Sequence, residues 1–166
     1  MNKFILIGLL WPCVALSEYP PRTKPEELVQ EAHVVFSGKV TSLEEYSLDG
    51  HDIRYAKISD ATVYKGALER RLTLEFVFRL PIPDLNPSCC KLGEKYLFFA
   101  EPFGDTGYLI SANGPFGVYR IEGGQVLRWH EKDDVTTDAP LESVECAIKD
   151  LLFSRSGEQG QADPCR

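Results

Sequence analysis

The feature of this chain that most constrains its fold is a set of short runs in which apolar and polar residues alternate. In the clearest run, apolar residues occupy positions 72, 74, 76 and 78, and polar residues occupy positions 73, 75 and 79. Because successive side chains of a strand point to opposite faces, such alternation is typical of a strand with one buried face. Glycine and proline bound the runs, which together predict a mainly β protein.

The other predicted strands carry irregularities. Residues 34 to 41 alternate as well, and Gly38 among them predicts a bulge or a sharply coiled strand. In residues 53 to 64 the apolar phase slips between Ile58 and Ala61, which indicates a bulge near Ser59. Residues 96 to 100 are apolar on both faces and predict a central strand, and residues 108 to 111 predict a short one.

A hairpin is predicted around Gly123-Gly124, because two glycines readily adopt the backbone of a two-residue turn. Its strands are residues 118 to 121 and 126 to 129. The residues expected on its buried face are Tyr119, Ile121, Leu127 and Trp129. The acidic stretch that follows, residues 131 to 138, lacks the residue order of a calcium loop and is expected to be a solvated loop.

Two helices are expected to flank the strands. Thr23 can cap a short helix that has Pro25 in its first turn. Its apolar side would be Leu28, Val29 and Ala32. A second helix is expected to start near Pro140 after a cap at Asp138. Its apolar residues recur at helical spacing at Leu141, Val144, Ile148, Leu151 and Leu152. With about six short strands, this order predicts a small five-stranded barrel of the oligomer-binding (OB) kind, with an extra hairpin.

The N-terminus has the pattern of a cleavable signal peptide. Lys3 precedes a short apolar run, and Ala15-Leu16-Ser17 supplies small residues for cleavage before Glu18. The run is too short to span a bilayer, so no membrane span is expected. The alternatives are a buried N-terminal strand or helix, or a lipoprotein in which Cys13 is acylated. The sequence predicts a signal peptide at 1–17, a single domain at 18–153 and a polar tail at 154–166, in a secreted or periplasmic protein.

The cysteines support export. Cleavage would remove Cys13 and leave four cysteines, Cys89, Cys90, Cys146 and Cys165. In an oxidising compartment such a set is expected to form disulfides. A bond between neighbours closes a strained ring, so Cys89 and Cys90 are each expected to bond one of the two distant cysteines, in an order left open. A zinc site fits adjacent thiols poorly, and no metal or cofactor is expected.

Charge and motifs narrow the function. With 25 acidic and 18 basic residues the formal net charge is −7, which argues against nucleic acid and anionic lipid as partners. The three histidines are scattered, and no nucleophile or phosphate-loop motif occurs. The acidic pairs Glu44-Glu45 and Asp133-Asp134 cannot converge on one strand face as an acid–base couple. We therefore expect no catalytic residues.

Three segments, taken together, resemble netrin-like domains. They are EAHVVFSGKV at 31–40, ATVYKG at 61–66 and CKLGEKYLFFA at 90–100, and the resemblance covers roughly residues 24 to 121. It implies an OB barrel like that of tissue inhibitors of metalloproteinases and their bacterial relatives. Those inhibitors chelate zinc through an N-terminal cysteine. Here the mature chain would begin at Glu18, and the family's later cysteine near 108–111 is missing, so the mechanism is not carried over.

These observations predict an exported, disulfide-stabilised, non-enzymatic module that binds or inhibits another protein. Contacts are expected from Tyr19, Pro20 and Phe116, although Phe116 would alternatively insert into the barrel end. The alternative function is a thiol-redox or other envelope enzyme that uses Cys89 and Cys90. It predicts a labile thiol near the surface, whereas the binding module predicts stable disulfides.

Overall fold

The computed structural model describes residues 24–48, 51–66, 74–79, 89–132 and 135–156, which form a mainly β structure with two α-helices. In chain order these elements are α1 (Pro25–Glu31), β1 (Val34–Leu48), β2 (His51–Lys65), β3 (Leu74–Arg79), β4 (Lys95–Pro102), β5 (Leu109–Ser111), a 3-10 helix (Gly114–Gly117), β6 (Val118–Glu122), β7 (Gln125–Lys132), β8 (Val135–Pro140) and α2 (Leu141–Ser156).

The described strands form one sheet in the order β1-β2-β3-β5-β4-β6-β7-β8, and β4 also pairs with β1. All neighbours are antiparallel except β3 and β5, which run parallel and are joined at Phe76 and Leu109. The prediction of a mainly β fold is confirmed. The expected number of about six strands was wrong: β7 continues to Lys132 and a further strand, β8, begins at Val135, both within the stretch that was expected to be loop.

Strands β1, β4 and β6 have apolar residues on both faces, and two clusters result. The helix-side core lies under α1 and α2 and consists of Leu28, Val29, Ala32, Val35, Leu97, Phe99, Tyr119, Ile121, Val126, Trp129, Ala139, Val144 and Ile148. The opposite core consists of Val34, Phe36, Val40, Ala56, Ile58, Cys90, Tyr96, Phe98, Ala100, Leu109 and Val118. Residues 96 to 100 are fully buried, which confirms that β4 is central.

The pairing of β1 with β2 contains a bulge where the sequence indicated one. The pairing steps from Ser37–Thr62 to Lys39–Ser59, so Gly38 lies opposite two residues of β2, Asp60 and Ala61, one of which is extra. Asp60 has a φ of 51°. A side chain on Gly38 would overlap Ile58 and approach a carbonyl oxygen at 3.1 Å, which explains the glycine.

The predicted hairpin is confirmed, with one change on its buried face. Gly123 and Gly124 have φ values of 57° and 78°, as their turn requires. A second bulge in β7, where Arg128 has a φ of 58°, shifts the alternation between Val126 and Trp129. Val126 and Trp129 therefore both face the helix-side core, and Val126 replaces the predicted Leu127.

The two helices pack as expected, but their caps differ. Residue Lys24, not Thr23, precedes α1, and it makes no side-chain cap hydrogen bond. Asp138 lies in β8 and accepts a hydrogen bond from the Arg128 N–H at 2.8 Å, so it does not cap α2. Val144 and Ile148 of α2 are buried, as predicted. Helix α2 continues to Ser156, three residues into the predicted tail.

Several predictions lie outside the described residues. They include the signal peptide, Tyr19, Pro20, Cys13, Cys165 and residues 157–166 of the tail.

Candidate functional site

The candidate site is the segment from Cys89 to Glu94, which we call the Cys90 turn. It leads into β4, and its two cysteines form a disulfide with each other. Their Cα atoms are 3.0 Å apart across a cis peptide bond. The expectation that each would bond a distant cysteine is not met.

The position of these cysteines in the fold explains the difference. Cys90 is 5% exposed and packs in the opposite core, while Cys146 lies on α2, which covers the helix-side core. The central strands separate the two cores, so the sheet lies between Cys90 and Cys146. Neighbouring thiols, in contrast, are held near each other by the chain itself. Cys146 is also disulfide-bonded, and its partner is not among the described residues.

Backbone hydrogen bonds fix the Cys90 turn against β1. The Val40 N–H donates to the Glu94 carbonyl at 2.9 Å, and the Gly93 N–H donates to the Val40 carbonyl at 2.8 Å. The Glu94 N–H closes the turn on the Lys91 carbonyl at 3.2 Å. Gly93 has a φ of 83°, a conformation that glycine adopts without a steric penalty.

The buried Tyr96 is hydrogen-bonded to the same turn. The Tyr96 hydroxyl accepts a hydrogen bond from the Lys91 N–H at 3.0 Å and donates one to the Glu94 carboxylate at 2.5 Å. The other oxygen of Glu94 pairs with Arg120 at 3.1 Å, and Arg120 also pairs with Glu122. Burial, and then the hydrogen bond to Glu94, raise the pKa of Tyr96 far above its usual range.

The tip of the turn carries an apolar side chain in water. Leu92 is 66% exposed, the highest fraction among the large hydrophobic residues described. Cys89 is partly buried against the opposite core, so the turn presents Leu92 above a packed base. A rigid turn with an exposed leucine is suited to contact another surface, because little conformational freedom is lost on binding.

A second polar network lies between the sheet and α2, and we call it the helix-side network. The Ser37 hydroxyl donates to the Tyr64 hydroxyl at 2.9 Å, and Tyr64 donates to the Glu145 carboxylate at 2.5 Å. Burial, followed by the hydrogen bond to Glu145, raises the pKa of Tyr64 far above its usual range. Ser37 is completely buried, and its hydroxyl is engaged by Tyr64. The arrangement joins β1, β2 and α2, and it serves packing.

Neighbouring Lys65 fixes the other helix. Its ammonium donates to three backbone carbonyls at the end of α1: those of Val29 at 2.9 Å, Gln30 at 2.8 Å and Ala32 at 2.6 Å. Such carbonyls have no partner within the helix, and a lysine satisfies both their hydrogen bonds and the helix dipole. The Lys-Gly pair at 65–66, quoted for the netrin-like resemblance, thus has a structural role here.

Phe116, a predicted contact residue, is partly buried in the 3-10 helix after β5. Its N–H donates to the Asn113 carbonyl at 2.9 Å. The structure does not bring Phe116 together with the Cys90 turn by any described contact. Tyr19 and Pro20, the other predicted contacts, lie outside the described residues.

The described residues contain neither a candidate metal cluster nor a helix able to span a membrane. No group of three or more histidine, cysteine, aspartate or glutamate residues within them has the arrangement of a metal site. None of the helices in the described ranges is long and apolar enough to cross a membrane.

Sequence reasoning did not single out Leu92. The usable signal was local: an apolar residue immediately before a glycine turn, next to paired cysteines, lies at the tip of a hairpin-like segment.

Comparison with known proteins gives no family for the chain. No protein-family model matches it, and no curated protein matches its sequence.

Proposed function

We propose that this protein is an exported, disulfide-bonded and non-enzymatic binding module with an OB-like barrel, and that the Cys90 turn contacts a protein partner. The observation that carries the proposal is Leu92, 66% exposed at the tip of a turn held by a disulfide and a buried tyrosine. The signal-peptide pattern of residues 1–17 and the bonded state of Cys89, Cys90 and Cys146 support export.

The strand pairings support the barrel and the netrin-like resemblance. Pairing leads from β1 through β2, β3, β5 and β4 and returns to β1, so these five strands would close on themselves. In this interpretation the opposite core fills the barrel, and β6 to β8 with α2 form an addition outside it. The Cys90 turn then lies at one end of the barrel, where β4 begins.

The binding test places a photoreactive amino acid at position 92 of the full chain, expressed with its own N-terminus. We expect a discrete crosslinked product in the medium or periplasm of the source cell. The matched control is the same amino acid at Phe103, which is 45% exposed. Phe103 follows β4 at its far end, and the eight-residue strand separates it from the turn by roughly 25 Å. Equal crosslinking at both positions, or none at position 92, would overturn the proposed contact.

Intact mass tests export and disulfide content in the same preparation. We expect a mass that begins at Glu18 and the loss of all free thiols, with Cys165 as the expected partner of Cys146. A retained N-terminus would contradict export by signal cleavage.

A second candidate function is thiol–disulfide exchange at Cys89–Cys90, favoured by the adjacent bonded cysteines and by the partial exposure of Cys89. A thiolate of a dithiol substrate would attack the Cys89 sulfur and displace the Cys90 thiolate. The second substrate thiol would then resolve the mixed disulfide, which leaves an oxidised substrate and two reduced cysteines.

The redox candidate is tested with a dithiol peptide whose fluorescence reports its oxidation. Catalysed oxidation in the presence of glutathione disulfide, lost in a Cys89→Ser/Cys90→Ser variant, would replace binding by redox catalysis as the leading function. No turnover, together with crosslinking at position 92, would leave the binding module.

A further inference from the structure

Three lysines lie near Leu92, one next to it in the chain and two in the adjoining pairing of β1 with β4. Lys39 of β1 pairs directly with Lys95 of β4, so their side chains leave the same face of the sheet. Val40, the next residue of β1, is hydrogen-bonded to both Gly93 and Glu94 of the Cys90 turn. Lys91 is the residue that the turn closes on, immediately before Leu92. We call Lys39, Lys91, Lys95 and Leu92 the basic turn surface.

The three lysine ammoniums have no ion-pair partner among the described residues. Two other described cations are engaged: Lys57 pairs with Glu44 at 2.9 Å, and Arg120 pairs with both Glu94 and Glu122. Asp60 lies beside Lys39 on the bulge of β2 and makes no ion pair with it. Lys39 and Lys91 are exposed, and Lys95 is half-buried.

This arrangement does not help the fold. Like charges directly opposite each other on neighbouring strands destabilise a sheet. The chain has 25 acidic residues and a net charge of −7, yet none of the described acidic residues forms an ion pair with these lysines. Lysines without ion-pair partners near an exposed leucine are complementary to a ligand that carries negative charge and an apolar side chain.

We propose that the basic turn surface binds an acidic segment of another protein, with one apolar side chain of that segment packed on Leu92. This inference rests on the proposed binding function and names the partner's chemistry. A sulfated glycan would satisfy the lysines as well, but it offers no apolar group for Leu92. The exposed leucine therefore favours a protein segment.

The experiment uses the full secreted protein and fluorescein-labelled peptides, each with one leucine in a background of glutamate and glycine. Fluorescence anisotropy is measured at low and moderate salt. We expect binding that weakens as salt is raised. The Lys39→Glu/Lys95→Glu variant should bind at least about tenfold more weakly, because two attractions become repulsions. Leu92→Ser should also weaken binding, by about tenfold, since one leucine would lose its burial.

The control for charge is Lys24→Glu/Lys149→Glu, which makes the same change in net charge just before α1 and on α2. We expect its affinity to stay within about twofold of wild type, because the surface charge it alters lies off the basic turn surface. Equal weakening by both double variants would overturn the proposal, since only net charge would then matter.

The remaining outcomes separate this inference from the proposed function. Binding to a heparin fragment but to none of the peptides would overturn the protein segment in favour of a glycan. Crosslinking at position 92 that is unchanged by Lys39→Glu/Lys95→Glu would overturn the inference and leave the binding module. Absence of crosslinking at position 92 would instead count against the proposed function itself.

Discussion

The helix-side network and the Cys90 turn contain the same kind of hydrogen bond, but only the turn leaves a large apolar side chain exposed beside it. In each, a tyrosine on one strand donates to a glutamate: the partly buried Tyr64 to Glu145, and the fully buried Tyr96 to Glu94. In the first, every group named is used within the chain, and neighbouring Lys65 satisfies the end of α1. In the second, the same chemistry supports a tip that leaves a leucine in water.

The difference shows which part of the molecule is free to act on something else. The helix-side network holds α2 to the sheet. The Cys90 turn packs its cysteines against the opposite core but leaves Leu92 mostly exposed, and it has a disulfide, four hydrogen bonds to its backbone and an ion pair beside it. A rigid turn with an exposed tip is what a preformed contact surface requires.

The largest expected effect is on the helix side. Ile148 is fully buried in the helix-side core, so Ile148→Ala should lower the free energy of unfolding by about 2–5 kcal/mol. Leu92→Ala should change it by less than about 0.5 kcal/mol, because Leu92 is mostly exposed. Urea denaturation of both variants measures the contrast. A loss for Leu92→Ala comparable to that for Ile148→Ala would show that the turn is part of the core.

The two tyrosines provide a closer comparison. Tyr64→Phe leaves the completely buried Ser37 hydroxyl and the Glu145 carboxylate without their partner and should destabilise by about 1–3 kcal/mol. Tyr96→Phe should have a smaller effect, about 1 kcal/mol, because Glu94 keeps its pair with Arg120. Urea midpoints of the two variants, measured in parallel at neutral pH, test the order. A reversed order would mean that the turn depends on its tyrosine more than α2 does.

Alkaline pH should act on both networks. The pKa of each tyrosine is raised in the folded state, so the stability from these groups is complete below the unfolded pKa, near 10. It should be lost as the pH rises from there toward the folded values, because the unfolded chain ionises first. Absorbance near 295 nm should show two tyrosines that ionise only on unfolding. A Tyr64→Phe/Tyr96→Phe variant should lose both late ionisations and serves as the control.

The smallest expected effect is a gain. Lys95→Glu replaces a like-charge pair with an opposite-charge pair across β1 and β4 and should raise stability by about 0.2–1 kcal/mol. The same substitution should weaken acidic-peptide binding. Thermal unfolding and anisotropy on one preparation measure both. If Lys95→Glu destabilises the protein, the lysine pair has a structural role, and this result would contradict its assignment to a binding surface.

Much of the fold was readable from local pattern. The alternation of 34 to 41 and the uniform apolar run at 96 to 100 predicted strands that the structure contains. The phase slip after Ile58 located the bulge at Asp60, and Gly123-Gly124 located the hairpin turn. These succeed because strand faces and turn conformations depend on neighbouring residues.

The errors arose where a distant contact decided the outcome. Aspartate often caps helices, but Asp138 lies across from the bulge at Arg128, and its carboxylate accepts a hydrogen bond from the Arg128 N–H. The acidic stretch was expected to be loop because aspartate and glutamate are uncommon in strands, and the pairing of β7 with β8 is not evident from the sequence. The cysteines were paired by ring strain, without knowledge of which core each one faces.

The sequence by itself determined that this chain builds strands buried on both faces, closes with an amphipathic helix and carries a set of cysteines suited to export. Only the tertiary structure decided that Lys39 faces Lys95 and that Tyr64 reaches Glu145, 81 residues away. The physical reason is register. Which residues meet across strands depends on the bulges and on pairings distant in the chain, and a shift of one residue moves every side chain to the other face.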